Sequence, residues 1–368
     1  MNCFNCDNCG MMVFFENESC VKCGETLGFF PDRMEMSSQK KWAAHTASSG
    51  ATSPHTCANK DNYKVCNWMV LGGDDNTFCL ACRLNEMIPN LTINGNRERW
   101  YKLELAKRRC LYTFLRLGLP VETAEGQGRA PLRFRFMGDA PDTSPVITGH
   151  DHGVITINIA EADTDERERR RLQLNEPYRT LIGHIRHESG HYYWDRIIAD
   201  TPHLPKFREL FGDETANYDE ALKKYYASGP ASDWQERTVT AYASLHPWED
   251  WAETWAHYLH MADTLETAES FGLGLNLDKS QNYQSKNHFS KAGGEQRFNK
   301  LLATWLPLIC ALNAVSRGMG LPDLYPFVTT DAVIKKLEFI HNLIEAEANQ
   351  PHPARFIKQA SSQLKATI

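Results

Sequence analysis

The spacing of apolar positions changes near residue 95 of the chain. Residues 1–33 are loop-like, and residues 34–55 are rich in Ser, Ala and Thr with little apolar periodicity. Further along, residues 131–160 alternate between apolar and polar as strands do. Helical spacing of apolar residues recurs at 97–117, 179–199, 219–227, 248–261, 295–316 and 331–347. The charged run at 163–171 is predicted to be a solvent-exposed helix. The pattern predicts an α+β fold with a small sheet and a mostly helical C-terminal part.

The 368 residues suggest two or three structural units, at roughly 150 residues per domain. Shifts in composition and periodicity indicate where the boundaries fall. The predicted order is a cysteine-rich module at 1–33, a linker at 34–56, a second cysteine module at 57–95, a larger domain at 96–350 and a tail at 351–368.

Composition excludes several classes of protein. Hydrophobic residues make up 42% and charged residues 23% of the chain, which is ordinary for a globular protein. The formal net charge of −6 gives no reason to expect broad, charge-driven binding of nucleic acid. No stretch approaches the roughly 20 apolar residues of a membrane-spanning helix, and the start MNCFNCDNCG lacks the pattern of a secretory signal. We therefore expect a cytoplasmic protein without membrane contact.

The first cysteines are spaced as metal ligands. In a reducing compartment, clustered cysteines bind metal more often than they form disulfides. Cys6-x2-Cys9 and Cys20-x2-Cys23 are two knuckles, each followed by a glycine that suits a tight turn. Together they complete a tetrahedron around zinc with no open position, so the site is structural. Cys3 offers a slipped register, but a Cys3-x2-Cys6 pair lacks the following glycine.

A second set of cysteines consists of Cys57, Cys66, Cys79 and Cys82. Only the last two form a C-x-x-C knuckle, and the gap between the first two is irregular. We predict a second structural zinc at this set. The alternative is that Cys57 or Cys66 packs in the core as a small apolar residue.

The segment LIGHIRHESGHYYWDR contains an H-E-x-x-H motif at 187–191. Residues four apart share a helix face, so His187 and His191 can bind one zinc while Glu188 faces the attacking water. The apolar and aromatic flanks predict a buried helix. His184 shares this face and is predicted to support the ligands or contact the substrate, unless it is an ordinary hydrogen-bonded histidine.

A catalytic zinc needs a third protein ligand and an open fourth position. The segment WEDWAETWAHYLH at 248–260 places acidic residues and histidines on one face of a predicted helix. In one register Glu249 binds zinc and Glu253 supports it. In the other, Glu253 binds zinc and His257 supports it. The aromatic residues predict that this helix is buried, and a buried carboxylate requires a partner such as a cation.

The sequence resembles a known family at this point. The H-E-x-x-H motif with a distal glutamate is similar to the gluzincin branch of zinc metallopeptidases. The whole chain, over most of residues 1–340, resembles a bacterial family of zinc-binding metallopeptidases with an N-terminal zinc ribbon. The matching stretches are the ribbon at 6–23 followed by LGFFPD, CNW at 66–68, CRLNEMIPNL at 82–91, EPYRTLIGHIRHESGHYYWDR at 176–196 and HPWEDWAETWAHYLHMADTLETA at 246–268. The resemblance implies that 96–350 is a zincin-like metallopeptidase domain.

A local resemblance bears on the third ligand. The catalytic domain of anthrax lethal factor has an E-x-x-A-E helix whose first glutamate binds zinc, with a tyrosine seven residues earlier facing the metal. Glu249-x-x-Ala252-Glu253 is similar to that helix, and Tyr242 lies seven residues before Glu249. The resemblance favours Glu249 as ligand, Glu253 as its support and Tyr242 as stabiliser of the oxyanion. Alternatively, Tyr242 only packs beside the following HPW.

The predicted function is a zinc-dependent metallopeptidase that hydrolyses a protein or peptide, with Glu188 as general base. It would hold one catalytic zinc and one or two structural zincs. By analogy with zincins, the strand at 154–160 would be an edge strand that pairs with the substrate. The sequence does not determine the oligomeric state.

The alternative is a zinc-ribbon binding protein, for protein or nucleic acid, with an inactive zincin domain. Residues 1–33 contain only Lys22 and Arg33 as basic residues, and acidic residues outnumber them. A phosphate-binding surface is therefore poorly supported. A protein contact or an intramolecular lid is the favoured role for the ribbon.

Overall fold

The computed structural model describes residues 1–42, 53–121, 130–139, 144–173, 176, 178–273 and 293–350. The chain divides into two compact units, Met1–Tyr192 with Glu347–Ile368, and Tyr193–Ala346. The predicted tail at 351–368 and the middle of the predicted linker, at 43–52, lie outside the described residues.

The first unit combines short strands with helices. Its strands are β1 (Phe4–Asn5), β2 (Met12–Val13), β3 (Leu27–Phe30), β4 (Glu35–Ser38), β5 (His55–Thr56), β6 (Met69–Val70), β7 (Asn85–Met87), β8 (Arg133–Met137), β9 (Gly149–Asp151) and β10 (Val154–Asn158). Its helices are α1 (Gln39–Trp42), α2 (Ala58–Tyr63), α3 (Leu80–Arg83), α4 (Asn96–Arg116), α5 (Thr164–Gln173) and α6 (Leu181–Ile197), whose last turns belong to the second unit. A short 3-10 helix, Ile159–Ala162, follows β10.

The second unit is helical throughout its described part. Its helices are α7 (Leu204–Phe211), α8 (Tyr218–Ser228), α9 (Trp234–Arg237), α10 (Pro247–Ser270), α11 (Gly293–Gly318) and α12 (Asp331–Asn349), with a 3-10 turn at Tyr242–Ser244. The predicted α+β class, with cysteine-rich modules before a mostly helical domain that has a small sheet, is confirmed.

Three antiparallel hairpins, β1/β2, β3/β4 and β5/β6, build the cysteine-rich part of the first unit. Strand β4 comes from the predicted linker and pairs along the whole of β3. Met36 and Trp42 point inward, with 4% and 8% of their surface exposed, so these two side chains add to the core. Residues 35–42 are therefore part of the folded module, although their composition is typical of a loop.

Aromatic rings join the hairpins to α4. Phe15 meets Phe29 edge-on with ring centroids 4.9 Å apart, and Phe29 lies 5.0 Å from Trp68. Tyr112 of α4 completes the cluster at 5.5 Å from Phe15. Each of these side chains is at most 2% exposed. Both cysteine modules therefore share one core with the first helix of the larger domain.

The four-stranded sheet has the order β7-β8-β10-β9. Strand β8 is parallel to β7 and β10, and β9 is antiparallel to β10. Alternation along the strands places one set of apolar side chains on a buried face. These side chains are Phe134, Phe136, Ile155 and Ile157.

Strand β9 forms the sheet edge beside β10. The two strands are joined at His152 and Gly153, whose φ angles of 44° and 84° fit a tight two-residue hairpin. A Cβ at Gly153 would lie 2.5 Å from the carbonyl oxygen of Pro131, so this position requires glycine. The expectation that the strand at 154–160 forms the edge was wrong, because the hairpin adds β9 outside it.

Large aromatic side chains fix α10 in the second unit. Trp251 stacks on Trp255 at 5.7 Å and meets Phe207 and Phe211 of α7 edge-on. Tyr193, near the end of α6, stacks on Trp255 at 4.9 Å. The burial of this helix, expected from its aromatic residues, is confirmed, since both tryptophans are 0% exposed.

One helix in the described ranges, Arg297–Gly318 within α11, is long and apolar enough to cross a membrane by length and composition alone. Of its most apolar stretch 28% is buried, and Leu302, Trp305 and Leu308 are among the buried residues of the helix. Buried apolar positions of this kind are what a core helix also shows.

We expect Phe29→Ala to lower the free energy of unfolding by about 3–5 kcal/mol, because it leaves a cavity among the rings of the shared core. The matched control is Phe14→Ala, since Phe14 is 50% exposed. Its expected change is within about 0.5 kcal/mol. Urea denaturation followed by tryptophan fluorescence measures both, and equal losses for the two variants would contradict the shared core.

Candidate metal centres

The thiols of Cys6, Cys9, Cys20 and Cys23 come together in the first module, with all four sulfur atoms within 4.8 Å of one another. Cys6 Sγ lies 3.7 Å from Cys23 Sγ, and Cys9 Sγ lies 3.6 Å from Cys20 Sγ. A zinc tetrahedron with Zn–S bonds of about 2.3 Å has sulfur–sulfur edges of about 3.8 Å. The observed spacing therefore fits zinc.

Two glycines shape the knuckles of this site. Gly10 and Gly24 both have φ of 73°, in the left-handed region that favours glycine. Their amides donate to the carbonyl oxygens of Cys6 and Cys20, which closes each knuckle. The sulfur atom of Cys6 belongs to the cluster and that of Cys3 does not. This is the pairing that the glycine after each knuckle favoured.

The second set, Cys57, Cys66, Cys79 and Cys82, also clusters within 4.8 Å. Cys66 Sγ lies 3.6 Å from Cys79 Sγ, again close to the edge of a zinc–sulfur tetrahedron. The amide of Cys79 donates to Cys57 Sγ at 3.4 Å. Packing as separate apolar residues would not require this convergence, so the arrangement favours a metal site.

Charge around the second set suits thiolates. Burial alone would raise the pKa of Cys66, but hydrogen bonds from the other thiols and the positive charge of Arg108 hold it well below its ordinary value. Arg108 is 2% exposed and donates to the carbonyl oxygen of Val65. Four thiolates around a divalent ion carry a net charge of about −2, which a buried guanidinium partly offsets.

Helix α6 carries the H-E-x-x-H motif and spans Leu181–Ile197, as the sequence predicts within a few residues. The rings of His187 and His191 meet edge-on, with centroids 5.1 Å apart and planes inclined by 77°. Glu188, one residue further along the helix, is 7% exposed. The two predicted imidazole ligands therefore lie together on one face of a mostly buried helix.

His184 lies one turn earlier on α6, beside a carboxylate that sequence reasoning did not single out. Its Nδ1 is 3.6 Å from Glu161 Oε2, and Glu161 is 0% exposed. Glu161 Oε1 also accepts hydrogen bonds from Arg179 at 2.7 Å and Arg170 at 2.9 Å. Burial alone would raise the pKa of Glu161, but these cationic neighbours hold it below its ordinary value. Glu161 and its cationic neighbours therefore stabilise the start of α6.

His150 is a second residue that sequence reasoning missed. It lies on the edge strand β9, with its ring nearly parallel to that of His191 at 6.4 Å. Its Nε2 accepts from the amide of Gly153 at 3.0 Å, so in the neutral ring the proton is on Nδ1. Burial, with the nearby His191, lowers the pKa of His150 to about 4. A cavity of about 490 Å³ opens along the same strand.

In the second unit, Glu249 lies in the first turn of α10 and is 3% exposed. Its Oε1 accepts a hydrogen bond from the hydroxyl of Tyr218 at 2.8 Å. Burial, with the negative charge of Glu249, raises the pKa of Tyr242 far above its ordinary value, so this phenol stays protonated. The ring of Tyr242 meets that of Tyr225 edge-on at 5.9 Å.

Glu253 and His257, the zinc ligand and its support in the alternative register, lie one and two turns further along α10 and have hydrogen-bond partners in this unit. Glu253 Oε2 accepts from the hydroxyl of Thr240 at 2.8 Å. His257 Nδ1 lies 2.7 Å from the hydroxyl of Tyr325. His257 is 4% exposed. His257 therefore lies in the interior of the second unit, whereas Glu253 is half-buried and bonded to Thr240.

We expect Cys82→Ser to lower bound zinc by one atom per chain, because a zinc site of four thiolates is weakened when one is replaced. Cys310→Ser is the matched control, since Cys310 is exposed and outside both clusters. Elemental analysis of variants purified side by side with the wild type measures the difference. Unchanged zinc in Cys82→Ser would contradict a metal role for the second set.

Comparison with known proteins places the chain in a family. The family described as "Putative zinc-binding metallo-peptidase" matches residues 96–343, and a zinc-ribbon domain matches residues 3–93. The chain is 39% identical over 355 residues to the uncharacterized proteins Mb2598c of Mycobacterium bovis and Rv2568c of Mycobacterium tuberculosis. Each alignment covers 96% of this chain and 98% of the relative.

No solved structure matches the chain. The two family matches join end to end as the sequence predicts, with the ribbon first and the peptidase-like domain after it. By its match over 96–343 and by these relatives, the chain belongs to the "Putative zinc-binding metallo-peptidase" family and carries an N-terminal zinc ribbon.

Proposed function

We propose that the protein is a zinc-dependent peptidase whose catalytic zinc is held by His187, His191 and Glu249. One observation carries this proposal. Each of the three residues offers one ligand atom, and these atoms lie within 4.8 Å of one another. Two imidazoles and one carboxylate form a set that zinc prefers, and three protein ligands leave the fourth position open for substrate or water.

Glu249 is preferred over Glu253 as the third ligand. The group of ligand atoms contains Glu249, whereas Glu253 is hydrogen-bonded to Thr240. In the alternative register His257 would support Glu253, but His257 is engaged with Tyr325. We therefore assign Glu253 a supporting role one turn further along the same helix.

Each step of the proposed peptide hydrolysis is assigned to a particular side chain. Zinc, when bound, lowers the pKa of a water ligand and polarises the scissile carbonyl. Glu188 accepts the proton of the attacking water and returns it to the leaving amine. The protonated phenol of Tyr242 donates a hydrogen bond to the oxygen that gains negative charge. His184, whose Nδ1 lies 3.6 Å from Glu161 Oε2, is assigned a supporting role in the first turn of the helix that carries His187, Glu188 and His191.

The proposed substrate is a protein or peptide in the cytoplasm. The many clustered cysteines suit a reducing compartment, where thiolates remain available to zinc. The two thiolate sites are assigned to structural zinc, which brings the proposed total to three zincs per chain. The first cysteine module, residues 1–33, exposes Met12, Phe14 and Val21 and is poor in basic residues, which favours a protein contact over nucleic acid for the ribbon.

We expect His191→Ala to lower the zinc content from three atoms per chain to two, because one ligand of the proposed catalytic site is lost. His152→Ala is the matched control, since this histidine side chain is 93% exposed. Elemental analysis of the wild type and both variants, purified in parallel, gives the counts. Equal zinc in the wild type and His191→Ala would rule out His191 as a ligand.

We expect Glu188→Gln to keep three zincs but to cleave unfolded casein about 10²–10⁴-fold more slowly, since the general base is removed while the ligands remain. Glu209→Gln, at a position whose side chain is 65% exposed, should cleave as the wild type does. Release of soluble peptides measures the rate. A wild type with three zincs and no cleavage would favour the alternative, a zinc-ribbon binding protein with an inactive zincin domain.

A further inference from the structure

A hydrogen bond links Glu249 to helix α8. The hydroxyl of Tyr218 donates to Glu249 Oε1 at 2.8 Å. Glu249 is 3% exposed, so this bond lies in a place where water does not compete strongly for the carboxylate. Neither the H-E-x-x-H motif nor the E-x-x-A-E pattern contains Tyr218, and no role has been assigned to it so far.

The position of Tyr218 is itself determined by its neighbours. It is the first residue of α8, which Asn217 caps by accepting from the amide of Glu220 at 3.1 Å. Its ring meets that of His246 edge-on at 5.3 Å. A second ring contact is with Trp248, at 6.4 Å. A hydroxyl held by a capped helix end and two rings has little freedom to turn away from the carboxylate.

His246 ties the loop before α8 to the start of α10. Its Nδ1 accepts from the amide of Trp248 at 3.2 Å, which caps α10. Because Nδ1 accepts, the ring proton is on Nε2, which donates to the carbonyl oxygen of Ala216 at 3.0 Å. The segment that carries Tyr218 and the turn that carries Glu249 are therefore fixed to each other by the same imidazole.

We propose that Tyr218 is a positioning residue for the zinc site: by donating to Oε1 of Glu249, it orients this carboxylate to bind the metal through its other oxygen. The proposal rests on the function proposed above, because it takes Glu249 as the third ligand. It assigns Tyr218 no contact with substrate. Its effect reaches the metal only through Glu249.

The physical consequence concerns both geometry and affinity. A carboxylate can bind a metal through one oxygen or both, and a hydrogen bond to one oxygen favours the one-oxygen mode. One-oxygen binding would leave a fourth position on the metal open for water or substrate, which a hydrolytic site needs. Hydrogen bonds to ligating groups typically contribute about 10–100-fold to metal affinity.

Tyr242 does not replace Tyr218 in this role. Its phenol lies in the 3-10 turn that precedes α10, and its raised pKa reflects burial first, and then Glu249 and Tyr218. The direct 2.8 Å hydrogen bond to the carboxylate comes from Tyr218. The two tyrosines are therefore assigned different tasks, with Tyr218 orienting the ligand and Tyr242 donating to the substrate.

The test measures the affinity of the third zinc in the full chain. Wild type, Tyr218→Phe and Glu249→Ala are loaded with zinc and titrated against a chromogenic chelator, and cobalt-substituted samples give visible absorption spectra. For Tyr218→Phe we expect a zinc dissociation constant about 10–100-fold higher at the third site, an altered cobalt spectrum and two unaffected thiolate-bound zincs. The matched control is Tyr226→Phe, on the same helix but 62% exposed, which should match the wild type.

Each other result has a definite meaning. If Glu249→Ala loses the third zinc while Tyr218→Phe binds it as tightly as the wild type, Tyr218 only packs and the inference is wrong, although the proposed function stands. If Glu249→Ala keeps the third zinc at wild-type affinity, the proposed ligand set fails and the inference fails with it. If Tyr218→Phe also loses the thiolate-bound zincs, its role is in folding, which contradicts a positioning role.

Discussion

Ligand groups that are packed closely in a protein interior need a cation between them. Thiolates 3.6 to 3.7 Å apart repel one another, and burial removes the water that would screen them. A divalent ion bound between the thiolates attracts all of them and outweighs their mutual repulsion. Its binding therefore contributes to the free energy of folding. The strands of the first module are only two to four residues long, and an isolated two-stranded hairpin is marginally stable at best in water. The metal and the shared aromatic core of Phe15, Phe29, Trp68 and Tyr112 therefore stabilise this part of the chain together.

In the second unit, the placement of Glu249, the proposed third ligand, depends on aromatic packing instead. Trp251 and Trp255 fix the N-terminal half of α10, and His246 fixes its first turn. A carboxylate in that first turn inherits the rigidity of the helix. The remaining freedom, rotation of the Glu249 side chain itself, is restricted by the hydrogen bond from Tyr218. A site built on rigid helices with hydrogen-bonded ligands holds its geometry better than one on loops.

Much of this arrangement is predictable from sequence, because the relevant signals are local. The knuckles repeat at fixed spacing, the H-E-x-x-H motif follows helical periodicity, and α4 and α6 lie within a few residues of their predicted bounds. Residues that depend on long-range packing give no such signal. Glu161, His150 and Tyr218 lie 26, 37 and 31 residues from His187 or Glu249 along the chain, and no spacing rule connects them. Strand β4 and helix α1 were hidden for a related reason, since a Ser-rich composition outweighed the two buried side chains Met36 and Trp42.

The two kinds of site show how the ligand set decides what one metal does. Four thiolates outweigh the charge of a divalent ion and leave about −2, which attracts no nucleophile and which Arg108 partly offsets at the second cysteine set. Two neutral imidazoles and one carboxylate, as proposed for His187, His191 and Glu249, leave a charge of about +1 and an open position. A residual positive charge stabilises hydroxide and polarises a carbonyl, which closed thiolate sites cannot do. A neutral His150 beside His191 preserves that charge, because it adds neither a negative group nor a competing cation.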